Sequence, residues 1–422
     1  MHTLPLPKLS PLTDPRSANQ ELNPAPRLLM GPGPINADPR VLKAMSTQLL
    51  GQYDPQFRQM MRETMALYRS FFETQNDWTL VLDGTARSAI EMVMLSAIEP
   101  GDKVLVCSFG RFGQLLNEIA QRCGANVKVI EVPWGTVFDL AQIEAAIKAF
   151  SPKLVATCQG DTSTTMLQPL AELGALCHRY GALLQVDATA SCGGTPLPVD
   201  AWAIDCVTAG LQKCLAGPSG AAPITLSNNM AQSIYRRRHI EEGLRPANYV
   251  PGAGSRIASN YMDMAMIIDY WSDAALNHHT EATTMLYGAR ECARIFVQEG
   301  LPNVYARHAA ASRAVVRGLQ GMNLKVYGDQ ANKMPNVTGV YIPEGINGDK
   351  VRAALLSDFN IEIGTSFGPL HGKVWRIGAM GYNARQDCVL NTLAALEIVL
   401  AAEGHKFTRG AGVDAAYQSY KA

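Results

Sequence analysis

A lysine and an aspartate that follow apolar runs are the residues of this sequence with the clearest chemistry. Lys213 comes shortly after the apolar run 206–209 and just before a turn with two glycines at 217–220. An amine held on a loop at the end of a strand could form a Schiff base with an aldehyde cofactor. The ordinary alternative for a single lysine is a solvated surface charge.

Asp187 directly follows the run 182–186, which is typical of a buried parallel strand. A carboxylate at the carboxyl end of such a strand lies in the ligand crevice of an open α/β sheet. It could cap a helix there, or it could pair with the protonated ring nitrogen of pyridoxal phosphate (PLP), which lets the ring accept electrons. Because Lys213 follows one strand later, the pairing with PLP is favoured.

With these two residues and five further motifs, the chain resembles the class V aminotransferases, which have the PLP-dependent transferase fold type I. The resemblance covers roughly residues 27–400, and its motifs stand in the family's order. They are Gly-Pro-Gly-Pro at 31–34, Asp-Gly-Thr-Ala-Arg-Ser-Ala-Ile-Glu at 83–91, Gly-Asp-Thr-Ser-Thr at 160–164, Val-Asp at 186–187, Gln-Lys at 212–213, Asn-His-His-Thr at 277–280 and Arg-Ile-Gly at 376–378. The resemblance implies a PLP-dependent aminotransferase that acts on small amino acids and oxo acids.

The resemblance also implies which residues contact PLP. Thr85 and Ala86, at the start of a helix, would bind the phosphate, and the segment 277–280 would reach the phosphate of a neighbouring subunit in a homodimer with shared active sites. Phe112 would stack on the ring; core packing is its ordinary alternative. The implied contacts with the cofactor are Thr85, Ala86, Phe112, Thr162, Asp187, Thr189, Gln212, Lys213, Asn277 and Thr280.

Arg376 is the candidate for binding the substrate's carboxylate. Its neighbours Val374, Trp375 and Ile377 favour a buried position over a surface ion pair. A planar guanidinium can hold a carboxylate through two parallel hydrogen bonds and so orient the substrate. The resemblance adds that Gly33 borders the substrate pocket.

Within class V, the chain looks most like the (S)-ureidoglycine–glyoxylate aminotransferases of purine breakdown. The features are Gln52 and Asn260, whose neutral amides suit the donor and acceptor edges of a ureido group. The implied reaction moves the amino group of (S)-ureidoglycine to glyoxylate and gives oxalurate and glycine. Two alternatives stay open: an alanine– or serine–glyoxylate aminotransferase, and a helix-capping role for Asn260 with Asp263 at the third position.

The helices and strands that position these residues are predicted from the pattern of apolar and polar residues along the sequence. Strands and helices alternate from about 79 to 226, as a large, doubly wound, mostly parallel sheet requires. A smaller C-terminal α+β domain is expected from candidate strands at 324–327, 337–342 and 374–378. The predicted division is a proline-rich arm at 1–26, a large PLP-binding domain at 27–299, and a small domain with a tail at 300–422. Helices are predicted to begin at 259 and to include 277–280.

Composition sets outer limits on function. The 422 residues carry no formal net charge, which does not favour nucleic acid or a membrane surface as a partner. The basic run 235–239 is predicted to be a solvated helix face. The nine cysteines are scattered without metal-ligand spacing, and neighbouring His278 and His279 do not share a helix face, so no metal is expected. With no apolar run near the ~18 residues of a membrane span, a cytoplasmic protein with reduced thiols is predicted.

Two other classes with related folds fit the sequence poorly. A cysteine desulfurase needs a nucleophilic cysteine in the loop before the carboxylate-binding arginine, and the loop 364–369 has none. A transcription regulator with a PLP-sensing domain would need an N-terminal helix-turn-helix, which a proline-rich arm of 26 residues does not supply.

Overall fold

The computed structural model describes residues 6–11, 13–15 and 17–422. Residues 1–5, 12 and 16 of the predicted N-terminal arm lie outside the described residues. The described part of that arm contains no helix or strand, and Leu6, Leu9 and Leu22 are almost fully exposed. Among the described residues, no helix is long and apolar enough to cross a bilayer.

Fourteen strands and thirteen α-helices are found in the described residues. The strands are β1 (Leu28–Leu29), β2 (Trp78–Gly84), β3 (Lys103–Ser108), β4 (Asn126–Glu131), β5 (Leu154–Cys158), β6 (Gly160–Asp161), β7 (Met166–Leu167), β8 (Leu183–Asp187), β9 (Cys206–Thr208), β10 (Gly220–Leu226), β11 (Val337–Tyr341), β12 (Ile361–Glu362), β13 (Gly364–Thr365) and β14 (Val374–Gly378). The helices are α1 (Pro39–Met45), α2 (Pro55–Phe72), α3 (Ala86–Ala97), α4 (Arg111–Arg122), α5 (Leu140–Phe150), α6 (Leu173–Arg179), α7 (Asn228–Tyr235), α8 (Met264–Trp271), α9 (Thr283–Glu299), α10 (Leu301–Gly321), α11 (Gly348–Phe359), α12 (Gln386–Ala402) and α13 (Ala411–Lys421).

The main sheet has seven strands in the order β2-β10-β9-β8-β5-β3-β4. Neighbours from β9 to β4 are parallel, whereas β10 is antiparallel to both β2 and β9. The inner strand β5 is buried along its whole length, because helices cover both faces of such a sheet. The prediction of a large, doubly wound, mostly parallel sheet is confirmed.

The register of the central strands brings their carboxyl ends to one level. Cys158 at the end of β5 pairs with Asp187 at the end of β8, and Asp187 pairs with Thr208 at the end of β9. The loops that follow β2, β3, β5, β8 and β9 therefore leave the sheet along the same edge. This edge is where ligands bind in open α/β sheets.

A smaller region is built from the C-terminal part of the chain. β11, β14 and β13 form an antiparallel sheet, and β1 pairs in parallel with β12. Helices α10 to α13 pack on it around a second apolar core that includes the fully buried Trp375. The small α+β region is thus confirmed, although β1 near the N-terminus also belongs to it. The predicted division at 299/300 falls at Gly300, between α9 and α10, and stays a prediction.

Three predicted elements are wrong. The segment 277–280 is not helical. The helix expected from 259 begins only at Met264, because the carboxylate of Asp263 caps it by accepting from the backbone N–H groups of Ala265 (2.9 Å) and Met266 (3.2 Å). That cap also removes the helix-capping alternative for Asn260. The expected strand at 324–327 is reduced to an isolated bridge between Val326 and Val340.

The basic run 235–239 is not a solvated helix face, as the sequence had predicted. Helix α7 ends at Tyr235, and Arg237 is buried with 3% of its surface exposed. Its guanidinium donates to the carbonyls of Leu95 (2.8 Å), Ser96 (3.0 Å) and Ile98 (2.6 Å) at the end of α3. A cation there satisfies free carbonyls and complements the helix dipole, so Arg237 supports the helix whose other end carries Thr85 and Ala86.

Candidate active site

A cavity of about 210 Å³ opens at the carboxyl edge of the main sheet. Its walls come from the starts of helices and the ends of strands. Helix α3 follows β2, α4 follows β3, and loops follow β5, β8 and β9. Eight of the ten residues that the sequence assigns to the cofactor line this cavity. They are Thr85, Ala86, Phe112, Thr162, Asp187, Thr189, Gln212 and Lys213.

Lys213 reaches into the cavity from the loop after β9. Only 9% of its surface is exposed, and its amine donates to the carbonyls of Pro32 and Gly33, the latter at 3.3 Å. Burial, with a smaller contribution from the charge of Arg376, lowers the pKa of Lys213 to about 8. A larger fraction of the amine is therefore uncharged near neutral pH than for an ordinary lysine, as a nucleophile or base requires.

Gly33 occupies a position that only glycine tolerates. Its φ is +91°, and a Cβ atom built there would lie 2.3 Å from Nζ of Lys213. Any side chain would therefore displace the amine as well as strain the backbone. The predicted substrate-pocket residue Gly33 thus lies against the candidate catalytic lysine.

Asp187 is a buried carboxylate that has no cationic hydrogen-bond partner among the described residues. Its Oδ1 atom accepts from the backbone N–H of Thr189 at 2.9 Å, and burial raises the pKa of Asp187. Oγ1 of Thr189 and Oε1 of Gln212 are also buried without hydrogen-bond partners in the described structure. A protonated ring nitrogen would supply the missing positive charge, and a polar cofactor would satisfy the free oxygens. The residues present therefore fit PLP.

Thr85 and Ala86 fit a phosphate for a different reason. Thr85 is the N-cap of α3, yet its side chain makes no capping hydrogen bond, and Ala86 is the first helical residue. Free backbone N–H groups and the helix dipole at such a start attract an anion. The side chain of Arg87 also lines the cavity at this end.

Asp161 is a residue of the site that the sequence reasoning missed. Its buried carboxylate accepts from the backbone N–H groups of Phe112 and Ser163, both at 2.8 Å, and from Oγ of Ser163 at 2.6 Å. A Cβ on Gly110 would lie 2.5 Å from this carboxylate. Asp161 thus fixes the start of α4, and with it the ring of Phe112. The sequence offered one indication of this role, because Asp161 is the charged residue within the motif 160–164.

Arg376 is buried on β14 and adjoins the cavity through Thr162. Nε donates to the carbonyl of Thr365 at 2.7 Å, Nη2 donates to the same carbonyl, and Nη1 donates to the carbonyl of Thr162 at 2.8 Å. Because a guanidinium has five N–H groups, one remains on each Nη atom. That pair is suited to an end-on carboxylate. Burial lowers the pKa of Arg376 to about 10, so it stays charged at neutral pH.

Six predicted residues lie outside the lining of this cavity. Gly33 and Arg376 contact its residues Lys213 and Thr162. The other four are Gln52, Asn260, Asn277 and Thr280. Nε2 of Gln52 donates to Oδ1 of Asn277 at 3.0 Å. The amide of Asn260 instead donates to Oε2 of Glu241 at 3.1 Å. Within one chain, the amide partner of Gln52 is therefore Asn277 rather than Asn260, while Thr280 is exposed.

A hydrogen bond connects the segment 277–280 to Asp83 at the end of β2. Nε2 of His279 lies 2.9 Å from Oδ2 of Asp83, which also accepts from the backbone N–H of Ala282 at 3.0 Å. The Nδ1 atoms of His278 and His279 are 2.8 Å apart, a contact that the expected helix would not have produced. Burial and the charge of Asp83 raise the pKa of Glu281 well above its ordinary value.

Comparisons with known proteins agree with this geometry. The Aminotransferase class-V family matches residues 40–373. The chain is 48% identical over 407 residues to the (S)-ureidoglycine–glyoxylate transaminase of Bacillus subtilis, covering 96% of this chain and 98% of that protein. It is 35% identical over 375 residues to the alanine–glyoxylate aminotransferase of Drosophila melanogaster, covering 87% and 91%.

Solved structures give the same result. The crystal structure of ureidoglycine–glyoxylate aminotransferase from Bacillus subtilis superposes with a TM-score of 0.90 at 47% identity, over 96% of this chain and all of that one. An alanine–glyoxylate aminotransferase from Nostoc sp. gives 0.85 at 37% identity, over 92% and 99%. Together with the cavity and its lysine, these findings show that the chain belongs to the class V aminotransferases and is a PLP-dependent aminotransferase of fold type I.

Proposed function

We propose that the protein moves the amino group of (S)-ureidoglycine to glyoxylate, giving oxalurate and glycine in purine breakdown. The observation that carries this proposal is the 48% identity, over nearly the whole of both chains, to a protein with that donor and acceptor in its name. The alanine–glyoxylate aminotransferases are more distant and supply the second candidate function. We further propose that the protein is a cytoplasmic homodimer with shared active sites and binds no metal.

The residues of the site have separable tasks in this reaction. PLP, when bound, supplies a carbonyl that accepts the amino group and a ring that withdraws electrons. Arg376 holds the substrate carboxylate through its remaining pair of N–H groups and so orients Cα. Lys213 is the base that takes the proton from Cα, since burial lowers its pKa. Asp187 stabilises a proton on the ring nitrogen.

Donor profiling tests the proposal. With glyoxylate as acceptor, we expect kcat/KM for freshly generated (S)-ureidoglycine to exceed that for alanine and for serine by roughly 10²-fold or more, because a site built to hydrogen-bond a substrate discriminates strongly against one that lacks the groups. The rates are measured from glycine formation for each donor. A larger kcat/KM for alanine or serine would replace the proposal with the second candidate.

We propose that the side-chain amides of Gln52 and Asn277 bind the ureido group of the substrate through hydrogen bonds. Loss of one buried hydrogen-bonding partner costs about 1–3 kcal/mol, so Gln52→Ala and Asn277→Ala should each lower kcat/KM for ureidoglycine by roughly 5- to 150-fold. The rate with alanine should change little, because a methyl group makes no such bonds.

The same assay on Asn260→Ala decides between the two asparagines. Asn260 was the partner expected from the sequence, and its amide is bonded to Glu241. If Asn260→Ala lost more activity with ureidoglycine than Asn277→Ala, Asn260 would be the asparagine that binds the ureido group. Equal losses for all donors in every variant would contradict a role in reading the ureido group.

Shared active sites are tested with hybrid dimers. Thr280 is exposed at the end of a segment that does not line the cavity of its own chain, which supports a contact with the partner's phosphate. Lys213→Ala and Thr280→Glu should each be nearly inactive alone. After subunit exchange, the mixture should recover roughly a quarter of wild-type activity, because half of the dimers are hybrids and each hybrid has one intact site. A fully active monomer by sedimentation, or no recovery despite verified exchange, would contradict this.

A further inference from the structure

Two arginines and two phenylalanines alternate in a stack beside the cavity. The guanidinium carbon of Arg111 lies 5.4 Å from the ring centroid of Phe112 and 4.7 Å from that of Phe367. The guanidinium carbon of Arg376 lies 4.9 Å from the centroid of Phe367. The stack therefore connects Phe112 in the cavity wall to the carboxylate-binding Arg376, by way of Arg111 and Phe367.

Arg111 is held in place but has no polar partner for its charge. Its backbone N–H donates to Oγ of Ser163 at 2.9 Å, and Asp161 fixes the next residue along α4. Among the described residues, its guanidinium makes no hydrogen bond or ion pair and contacts only the two rings. Stacking leaves the in-plane N–H groups of a guanidinium free for an anion.

Two like charges share one ring, since the guanidinium groups of Arg111 and Arg376 both contact Phe367. Burial lowers the pKa of Arg376, the charge of Asp161 opposes this shift, and the charge of Arg111 adds to it. The carboxylate of Asp161 already accepts from Phe112 and Ser163. An anion bound beside Arg111 would reduce the repulsion between the two guanidinium groups.

The stack leads from solvent into the site. Arg111 is exposed, 40% of Phe367 is exposed, and Arg376 has only 4% exposed. The loop that carries Phe367 lies against Trp134, since a Cβ on Gly368 would be 3.2 Å from that indole. The ring of Phe367 therefore lies between the exposed guanidinium of Arg111 and the buried guanidinium of Arg376, and Trp134 supports the loop that carries it.

We propose that Arg111 is a second carboxylate-binding residue, at the solvent end of the stack, which captures the anionic substrate before Arg376 holds it. Carboxylate is the ligand class because a planar guanidinium with free paired N–H groups matches its two oxygens. The inference rests on the proposed function in so far as the acceptor is glyoxylate, a small carboxylate. Arg111 raises the local concentration of such anions at the mouth of the cavity.

Steady-state kinetics with glyoxylate as the varied substrate test the proposal. Arg111→Gln should lower kcat/KM for glyoxylate roughly 10-fold at low ionic strength and leave kcat within about twofold. Between about 0.01 M and about 1 M salt, where the Debye length falls from ~30 to ~3 Å, the difference from wild type should largely vanish. Arg111→Lys, which keeps the charge but lacks the paired N–H groups, should recover part of the loss.

Arg122→Gln is the matched control, because it removes the same charge from the other end of α4, where Arg122 pairs with Glu118. It should leave kcat/KM for glyoxylate unchanged. Three results would overturn the proposal: a loss in Arg111→Gln that is independent of salt, a loss in kcat alone with a lowered Tm, or an equal loss in Arg111→Lys. The assay works with any donor that the wild type accepts, so failure to use ureidoglycine would contradict the proposed function and leave this test valid.

Discussion

Replacement of Lys213 by alanine should reduce kcat by roughly 10²- to 10⁴-fold, the usual contribution of a positioned acid–base group. The amine is buried, has a lowered pKa, and is held at the cavity by the carbonyls of Pro32 and Gly33. Among the residues that the structure describes, no other lysine lines the cavity, so no neighbouring amine there can replace it. The variant should also lose the covalent link between protein and PLP.

The link is measured by borohydride reduction followed by mass spectrometry of the intact chain. Wild-type protein should gain the mass of the reduced cofactor, whereas Lys213→Ala should not. Lys333→Ala is the matched control, because Lys333 is also a lysine of lowered pKa, about 7, but donates to Ser312 and Met334 away from the cavity. A reducible link in Lys213→Ala would show that another residue holds the cofactor.

Replacement of Arg376 should produce the second large effect. Hydrogen bonds to charged groups contribute about 1.5–3 kcal/mol, so Arg376→Gln should lower kcat/KM for each carboxylate substrate by roughly 10- to 150-fold. Arg376→Lys keeps the charge but loses the paired N–H groups, and it should recover only part of the loss.

The amide analogue of an accepted amino donor separates substrate binding from structural support. Arg376 also donates to the carbonyls of Thr162 and Thr365, so its loss could disturb the site indirectly. If carboxylate binding dominates, the variant should lose much less activity with the amide analogue than with the amino acid. Equal losses for both compounds, together with a lower Tm, would assign Arg376 a structural role.

The parts of the site that local patterns encode were predictable from the sequence. Parallel strands end at one edge of a sheet, so residues that directly follow apolar runs, such as Asp187, converge there. Helix α5 begins at Leu140 because Asp139 and Gln142 form a capping box, which needs only residues that are neighbours in the sequence.

The parts that depend on distant partners were not predictable. The segment 277–280 is not helical, and Gln52 and Asp83, about two hundred residues earlier, bond to it. Arg237 is buried because carbonyls at the end of α3 accept its hydrogen bonds. Asp161 fixes Phe112 across 49 residues. In each case, a contact across the fold overrides what the local sequence favours.

The common level of Cys158, Asp187 and Thr208 has a consequence for how such a protein can evolve. Side chains alternate between the two faces of a strand, so insertion or deletion of one residue within β8 would turn Asp187 to the opposite face of the sheet. Substitutions of apolar residues along these strands change only packing at one position. Descendants of this chain are therefore free to vary these apolar residues, but not Asp187, while the length of each central strand is fixed and changes in length are confined to the loops beyond the sheet edge.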